Sequence, residues 1–285
     1  MNFTKTLPTN QHERPCAVLG VPAETYRAQA GTTQSDLNLF GKSPLLFKHG
    51  RTEETKAMTL GGIVHATVLE NRRPFYIRPE TYGPDNKPWN GNATACKEWL
   101  AAHSDHPVIR IDDVGAINAA TEKVRNHETC AAWLNGGIAE VSIFAKWGKG
   151  RLDYIADRGG WIDVVDVKTT SDGRYRKFQS AIMEYGYHIQ AAWYRRLVAE
   201  LSPKPIKYRF IVLELDPVVR INCWTLAEQA IDLGDERVDW LLERMEECRE
   251  SNRWPDYHNA DMGETGDIDL PEYAYPDEIS ISPTT

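Results

Sequence analysis

Apolar positions along the chain recur with two periods. In Thr59 to Glu70 (TLGGIVHATVLE), Leu60, Ile63, Val64, Val68 and Leu69 share one face of a predicted helix. Gly61 and Gly62 are poor helix formers and predict the close approach of another backbone. Cys96 to Ala102 and Val114 to Trp133 also read as helices. Phe178 to Glu200 is a strong one, with Phe178, Ile182, Tyr185, Ile189, Ala192 and Leu197 at spacings of three to five. Thr225 to Arg253 is another. Ser35 is placed to cap a short helix from Asp36 to Phe40, and Ser43-Pro44 is a second start signal.

After Asn135-Gly136-Gly137 the period becomes strand-like. Ala139 to Ala145, Arg151 to Ala156 and Trp161 to Lys168 are three β-type runs, divided by the turn compositions KWGKG and DRGG. Tyr208 to Leu215 and Val218 to Trp224 are two more, with Asp216-Pro217 between them. Residues 1–33 have no long periodic run and read as mostly irregular, and residues 74–95, with four prolines, read as a long excursion. Strands among helices predict an α/β (α+β) fold, a central mixed sheet flanked by helices.

Composition adds limits. The 285 residues are 41% hydrophobic and 26% charged, an ordinary globular balance. No apolar run approaches the roughly 20 residues needed to cross a bilayer, and MNFTKTLPTNQHERPC has no apolar segment of a secretory signal. The five cysteines (Cys16, Cys96, Cys130, Cys223, Cys248) are scattered, with no CxxC pair. Reduced thiols and a cytoplasmic location in a bacterial cell are expected, without a disulfide framework or a zinc knuckle. The net charge of −8 comes from the C-terminal stretch: residues 254–285 hold eight acids and no Lys or Arg. The remaining 253 residues carry 33 bases and 33 acids. A neutral body neither excludes nor announces a polyanionic partner. The tail reads as a solvated extension or as a cover for a basic groove.

The chemistry concentrates in GRLDYIADRGGWIDVVDVKTT. Asp166 and Lys168 point to the same face of a strand. If Gly159-Gly160 makes a two-residue turn, Asp153 falls opposite Asp166. Facing carboxylates repel unless compensated. The usual compensation is a hard divalent cation such as Mg²⁺ or Mn²⁺, for which the Val167 carbonyl is a further oxygen. Taken alone, the pattern also fits a hairpin with two exposed aspartates and a salt-bridging lysine. Against that, Ile162, Val164, Val165 and Val167 make the strand apolar on both faces, as in a buried central strand.

Five stretches, SDLNLFGKSPLLFKHG, MTLGGIVHATVLE, EVSIFAKWGKGRLDYIAD, WIDVVDVKTTSDGRYRKFQSAIMEYGYHIQAAWY and RWPDYH, span roughly residues 34–258. In this order they resemble the RecE-type (exonuclease VIII) branch of the PD-(D/E)xK nucleases. The resemblance implies a restriction-endonuclease-like core and Mg²⁺-dependent digestion of linear duplex DNA from the 5′ end, leaving 3′ single strands for an annealing partner in phage-type recombination. It implies that Asp153 and Asp166 are metal carboxylates, that Lys168 is the catalytic lysine and that His65 ligates or orients the metal. Gln190 and Tyr194 resemble a QxxxY pair, one helical turn apart, that positions DNA or the site. Glu140 is a weaker candidate for an additional metal acid. Arg174, Arg176 and Lys177 are candidates to contact phosphates or plain surface bases. A ring-like homo-oligomer is implied as well. Asp153 follows Leu152 where the superfamily has proline. The expected organisation is one nuclease domain over residues 1–253, comprising a helical part 34–133, a core 138–224 and a C-terminal helix 225–253, followed by the acidic tail 254–285. An endonuclease or nickase with the same site, and a non-catalytic DNA-end-binding protein, remain alternatives.

Overall fold

The computed structural model describes residues 1, 3–50, 55–216 and 218–256. The chain begins with β1 (Phe3–Thr4), β2 (Cys16–Val18), α1 (Ala23–Ala28), α2 (Gln34–Lys42), α3 (Pro44–His49) and α4 (Lys56–Glu70). The proline-rich excursion contains β3 (Tyr76–Ile77), β4 (Thr81–Tyr82) and β5 (Lys87–Pro88), followed by α5 (Thr94–Ala102), β6 (Val108–Ile109), α6 (Ile111–Asn126) and α7 (Glu128–Trp133). The central part is β7 (Ile138–Phe144), β8 (Lys149–Asp157), β9 (Ile162–Thr170), α8 (Tyr175–Glu184) and α9 (Tyr187–Ala199). It closes with β10 (Ile206–Glu214), β11 (Arg220–Thr225) and α10 (Glu228–Ser251).

Seven strands form one mixed sheet in the order β1-β2-β7-β8-β9-β10-β11. The β7, β8 and β9 strands form an antiparallel meander, and β10 runs parallel to β9 after the α8–α9 crossover. Helices cover both faces. On one side Leu37, Phe40, Trp193, Leu197, Val238 and Leu241, from α2, α9 and α10, pack on Leu152, Ile162, Val164 and Phe210. On the other, Ile63, Val64, Ile117, Val124 and Cys130, from α4, α6 and α7, pack on Tyr154, Val165, Val167 and Ile211. The expected α/β sheet with helical layers is therefore what the chain forms, and β9 is its buried central strand.

Several local expectations are corrected. Residues 1–33 are not simply irregular: β1 and β2 add two short strands to the sheet and α1 follows them. Thr33, not Ser35, caps α2. Its hydroxyl accepts from the Asp36 amide (3.2 Å) while Asp36 accepts from the Thr33 amide (2.8 Å), a capping box. Ser43 caps α3 as expected. No other backbone closes on Gly61 or Gly62: a Cβ at Gly61 would lie 3.2 Å from the side-chain Oγ1 of Thr169 on β9, and Gly62 has nothing near it.

The helix expected over Val114 to Trp133 is two helices that meet at His127. The one expected over Phe178 to Glu200 breaks at Gly186, whose φ of +66° is open to glycine at little cost. Apolar spacing continues across both breaks, which is why periodicity alone joined them. Within the expected tail, Trp254 stacks on Phe47 and the Pro255 carbonyl accepts from the Leu45 amide (2.9 Å), so these residues dock on α3. Pro217, Tyr257, His258 and the rest of the acidic tail lie outside the described residues. Among the described residues no helix is long and apolar enough to cross a membrane.

Candidate active site

The β8–β9 hairpin has the register that a Gly159-Gly160 turn dictates. Arg158 donates to the Trp161 carbonyl (2.9 Å), and pairing runs from Asp157–Ile162 to Tyr154–Val165. One step further, Asp153 comes level with Asp166. The regular ladder ends there, because the Val167 amide donates to Asp153 Oδ2 (2.9 Å) instead of to a main-chain carbonyl. The β7–β8 ladder behaves alike. It pairs Ala139 with Tyr154 and Val141 with Leu152, and skips the position at which Glu140 and Asp153 are level. Three acids, Glu140, Asp153 and Asp166, thus stand in a row across three adjacent strands.

Both ladder gaps coincide with a change of face. On β8, Leu152 and Ile155 belong to the core under α9, whereas Tyr154 belongs to the opposite core. Strict alternation would put Leu152 and Tyr154 together, so the irregularity falls on Asp153. On β7, Ile138 and Val141 face one core and Ala139 the other, and the irregularity falls on Glu140. Glu140 has a φ of +52°, a left-handed conformation costing a non-glycine residue about 1–2 kcal/mol. Irregularities of this kind re-aim side chains beside functional sites.

His65 of α4 completes this group. Its Nδ1 lies 3.2 Å from Asp153 Oδ2. Ligand atoms of His65, Glu140 and Asp153 all fall within 4.8 Å of one another. Burial, with the charge of Asp153 second, pushes Glu140 up to about 7. The guanidinium of Arg151, 3.9 Å away, pulls it down only in part.

Asp166 is held differently. Lys168 Nζ lies 2.6 Å from its Oδ2 and donates to Gln190 Oε1 (3.1 Å), while Gln190 Nε2 donates to Asp166 Oδ1 (2.9 Å). The Tyr187 ring lies 4.5 Å from Lys168 Nζ. Burial raises the Asp166 pKa despite the lysine. Burial acts against the Lys168 charge too, but Asp166 and Asp153 outweigh it and hold the ammonium above its ordinary range.

Asp163 on the same strand is an instructive contrast. It accepts from Arg158 Nε (2.9 Å), Arg209 Nε (2.7 Å) and Trp161 Nε1 (3.0 Å), a fully compensated structural acid. Asp166 Oδ2 is buried without an aligned hydrogen bond, the lysine approaching it as an ion pair only. The donor set of carboxylates and one imidazole fits a divalent cation with a preference for oxygen ligands.

The remaining expected residues are less central. Tyr194 is buried and donates its hydroxyl to the Arg151 carbonyl (2.7 Å), which fixes β8. Arg174 pairs with Asp172 through its guanidinium (2.6 Å) beside the start of α8, which holds the Asp172 carboxyl down at about 2. Arg176 and Lys177 are exposed on the first turn of α8. Val167 enters through its amide, as described. Tyr187 and Arg151 were not foreseen; their place beside the acids depends on helix packing and on which strands are neighbours.

No protein of curated function matches the chain. The structure resembles that of a candidate exonuclease from Eubacterium rectale, with a TM-score of 0.57 and 13% identity over 88% of this chain and 97% of that one. At that identity the likeness establishes the fold alone. A second structure, SSO0001, reaches a TM-score of only 0.20 at 18% identity, over 32% of this chain and 40% of that one, and carries no weight. In sequence, residues 43–264 match the model of a PDDEXK-like domain of unknown function, DUF3799. That span includes α4, the meander, α9 and hence every side chain of the acidic row and its lysine, and the chain belongs to this PDDEXK-like family.

Proposed function

We propose that the protein is a metal-dependent exodeoxyribonuclease that degrades linear double-stranded DNA. The observation that carries this reading is the row Glu140–Asp153–Asp166 across three strands, flanked by His65 and by a lysine held by an acid and an amide. His65, Glu140 and Asp153 would hold Mg²⁺, or Mn²⁺ in its place, with Asp166 Oδ2 and the Val167 carbonyl as further oxygens. Such an ion supplies charge neutralisation at the scissile phosphate and lowers the pKa of water bound to it.

The chain's own residues have distinct tasks. Gln190 accepts from Lys168 with one end and donates to Asp166 with the other, fixing the ammonium beside the acids. Those acids favour the ammonium form of Lys168, which suits it to orient the attacking water and to meet negative charge developing on the phosphate. Asp153 is fixed by the Val167 amide and faces His65, so its carboxylate is pre-positioned before any ion binds. Tyr194 fixes the strand that carries Asp153. Arg174, Arg176 and Lys177 provide positive charge at the start of α8, suited to holding a duplex at its phosphates.

The finer parts of the reading rest on the RecE-type resemblance. These are 5′-to-3′ polarity, 3′ single-stranded products for an annealing protein in phage-type recombination, a homo-oligomeric ring and a cytoplasmic location. One nuclease domain over residues 1–253 is a further part of the same reading. The name of the Eubacterium rectale protein agrees with an exonuclease. The test is incubation with linear duplex and with covalently closed circles in Mg²⁺. Shortening of the linear form alone, abolished by EDTA and by Lys168→Ala, is expected. Cleavage of closed circles would make the enzyme an endonuclease or nickase, and activity that survives Lys168→Ala or EDTA would remove the assignment.

A further inference from the structure

In the core between the sheet and α4, α6 and α7, residues far apart in sequence meet. Cys130 of α7 and Cys223 of β11 are 93 positions apart, yet their sulfurs lie 3.4 Å from each other. His127, at the N-cap of α7, joins them: one nitrogen of its ring and the two sulfurs fall within 4.8 Å of one another. The Cys130 amide lies 3.4 Å from His127 Nδ1, a long contact that an ion bound at that nitrogen would replace. We propose that His127, Cys130 and Cys223 form a Zn²⁺ site that staples α7 to the edge strand β11, separate from the acidic row.

The donor chemistry selects the ion. Two thiolates and an imidazole are ligands for a borderline-soft ion, whereas Mg²⁺ and Ca²⁺ demand oxygens. Tetrahedral zinc with sulfurs at about 2.3 Å sets them about 3.8 Å apart. The observed 3.4 Å needs an adjustment of a few tenths of an ångström, a smaller movement than closing to the roughly 2.05 Å of a disulfide. Charge fits as well. Cys130 is fully buried among Ile117, Val124 and Trp133, where a lone thiolate would be costly. A divalent ion with two thiolates and a neutral imidazole is formally neutral. His127 also lines a surface cleft with Lys123, Asp172 and Asn222. A site of this kind contributes directly to folding.

The test uses the full-length protein, reduced, stripped of metal, and titrated with Co²⁺ in excess Mg²⁺. The acidic row contains no sulfur, so thiolate-to-cobalt charge transfer in the near ultraviolet does not report it, and a double variant separates this pair from Cys16, Cys96 and Cys248. One equivalent of Co²⁺ is expected to develop that band, and Zn²⁺ to displace it. Cys223→Ser should weaken metal binding by about 10- to 100-fold. The double variant Cys130→Ser/Cys223→Ser should lose the band, and Asp153→Asn should keep it. Wild-type protein with no sulfur band overturns the proposal, as does a band that survives in the double variant. So does recovery of the two cysteines as a disulfide that excludes metal.

Discussion

His65 Nδ1 stands 3.2 Å from Asp153 Oδ2, the same oxygen that accepts the Val167 amide. A helix and two strands therefore converge on one carboxylate. If this group holds the ion, His65→Ala removes a ligand while leaving Asp153 fixed by Val167. The Mg²⁺ concentration for half-maximal cleavage should rise by about 10- to 100-fold, with activity partly recovered at high Mg²⁺. A metal titration curve identical to that of the wild type would contradict the placement.

Lys168 is predicted to act through its charge. Lys168→Gln keeps a hydrogen-bonding side chain but no charge, and should lower kcat by about 100- to 1,000-fold, the usual scale for losing an electrostatic stabiliser. Binding of duplex ends, measured by fluorescence anisotropy, should change little. With Asp166 and Asp153 favouring the ammonium, activity should show no rise with pH attributable to deprotonation of this lysine between pH 7 and 9. A rate that climbs tenfold per pH unit there, and loses that climb in Lys168→Gln, would point to a general base.

Gln190 and Tyr194 separate by what they touch. Gln190→Leu leaves Lys168 and Asp166 without their bridge and should reduce kcat by about 10- to 100-fold, with an unchanged KM for DNA ends. Tyr194→Phe leaves the Arg151 carbonyl unpaired and should cost about 1–3 kcal/mol of stability, with cleavage per folded molecule within about twofold. Denaturant melts beside steady-state assays distinguish the two. A Tyr194→Phe enzyme of full stability that no longer binds DNA would return this tyrosine to the substrate-contacting set.

Glu140 gives the metal-free protein a pH dependence of defined sign. Its folded value, about 7, lies above the ordinary carboxylate range, so the folded state binds a proton more tightly than the unfolded chain. That contribution is fully present below about pH 4.5 and is lost as pH rises through 7. It amounts to at most about 3 kcal/mol. In EDTA, melts from pH 5 to pH 8 should show stability falling, and Glu140→Gln should flatten that part of the fall. Mg²⁺ should restore stability at pH 8 in the wild type, because the ion replaces the proton. Equal slopes for wild type and Glu140→Gln would refute the assignment.

Much of the site was legible because hairpin arithmetic is local. The Gly159-Gly160 turn fixes which residue of β8 is level with Asp166, and Asp153 is the answer. The same arithmetic about the KWGKG turn places Glu140 level with Asp153, so the signal for Glu140 was present, though only as one acid in a strand. What no pattern carried was the change of face at both residues. It arises from a left-handed backbone at Glu140 and a side chain that captures a main-chain amide at Asp153. His65 was reachable only through the family resemblance, since its meeting with Asp153 depends on how α4 crosses the sheet.

The fold shows the same division. Central strands and amphipathic helices declared themselves by period. The breaks at His127 and Gly186 did not, because apolar spacing runs on through them. The short strands β1 and β2, two and three residues long, are too brief for alternation to register and form because β7 offers them an edge. Cys130 and Cys223 looked scattered for a related reason: only the packing of α7 against the sheet brings them together.

The central claim, that the acidic row is a divalent cation site, is tested most directly by anomalous diffraction from a crystal equilibrated with Mn²⁺. A peak bound by His65, Glu140 and Asp153, and lost in Asp153→Asn, is the predicted result. Ordered, metal-free side chains at these three positions in saturating Mn²⁺ would contradict it.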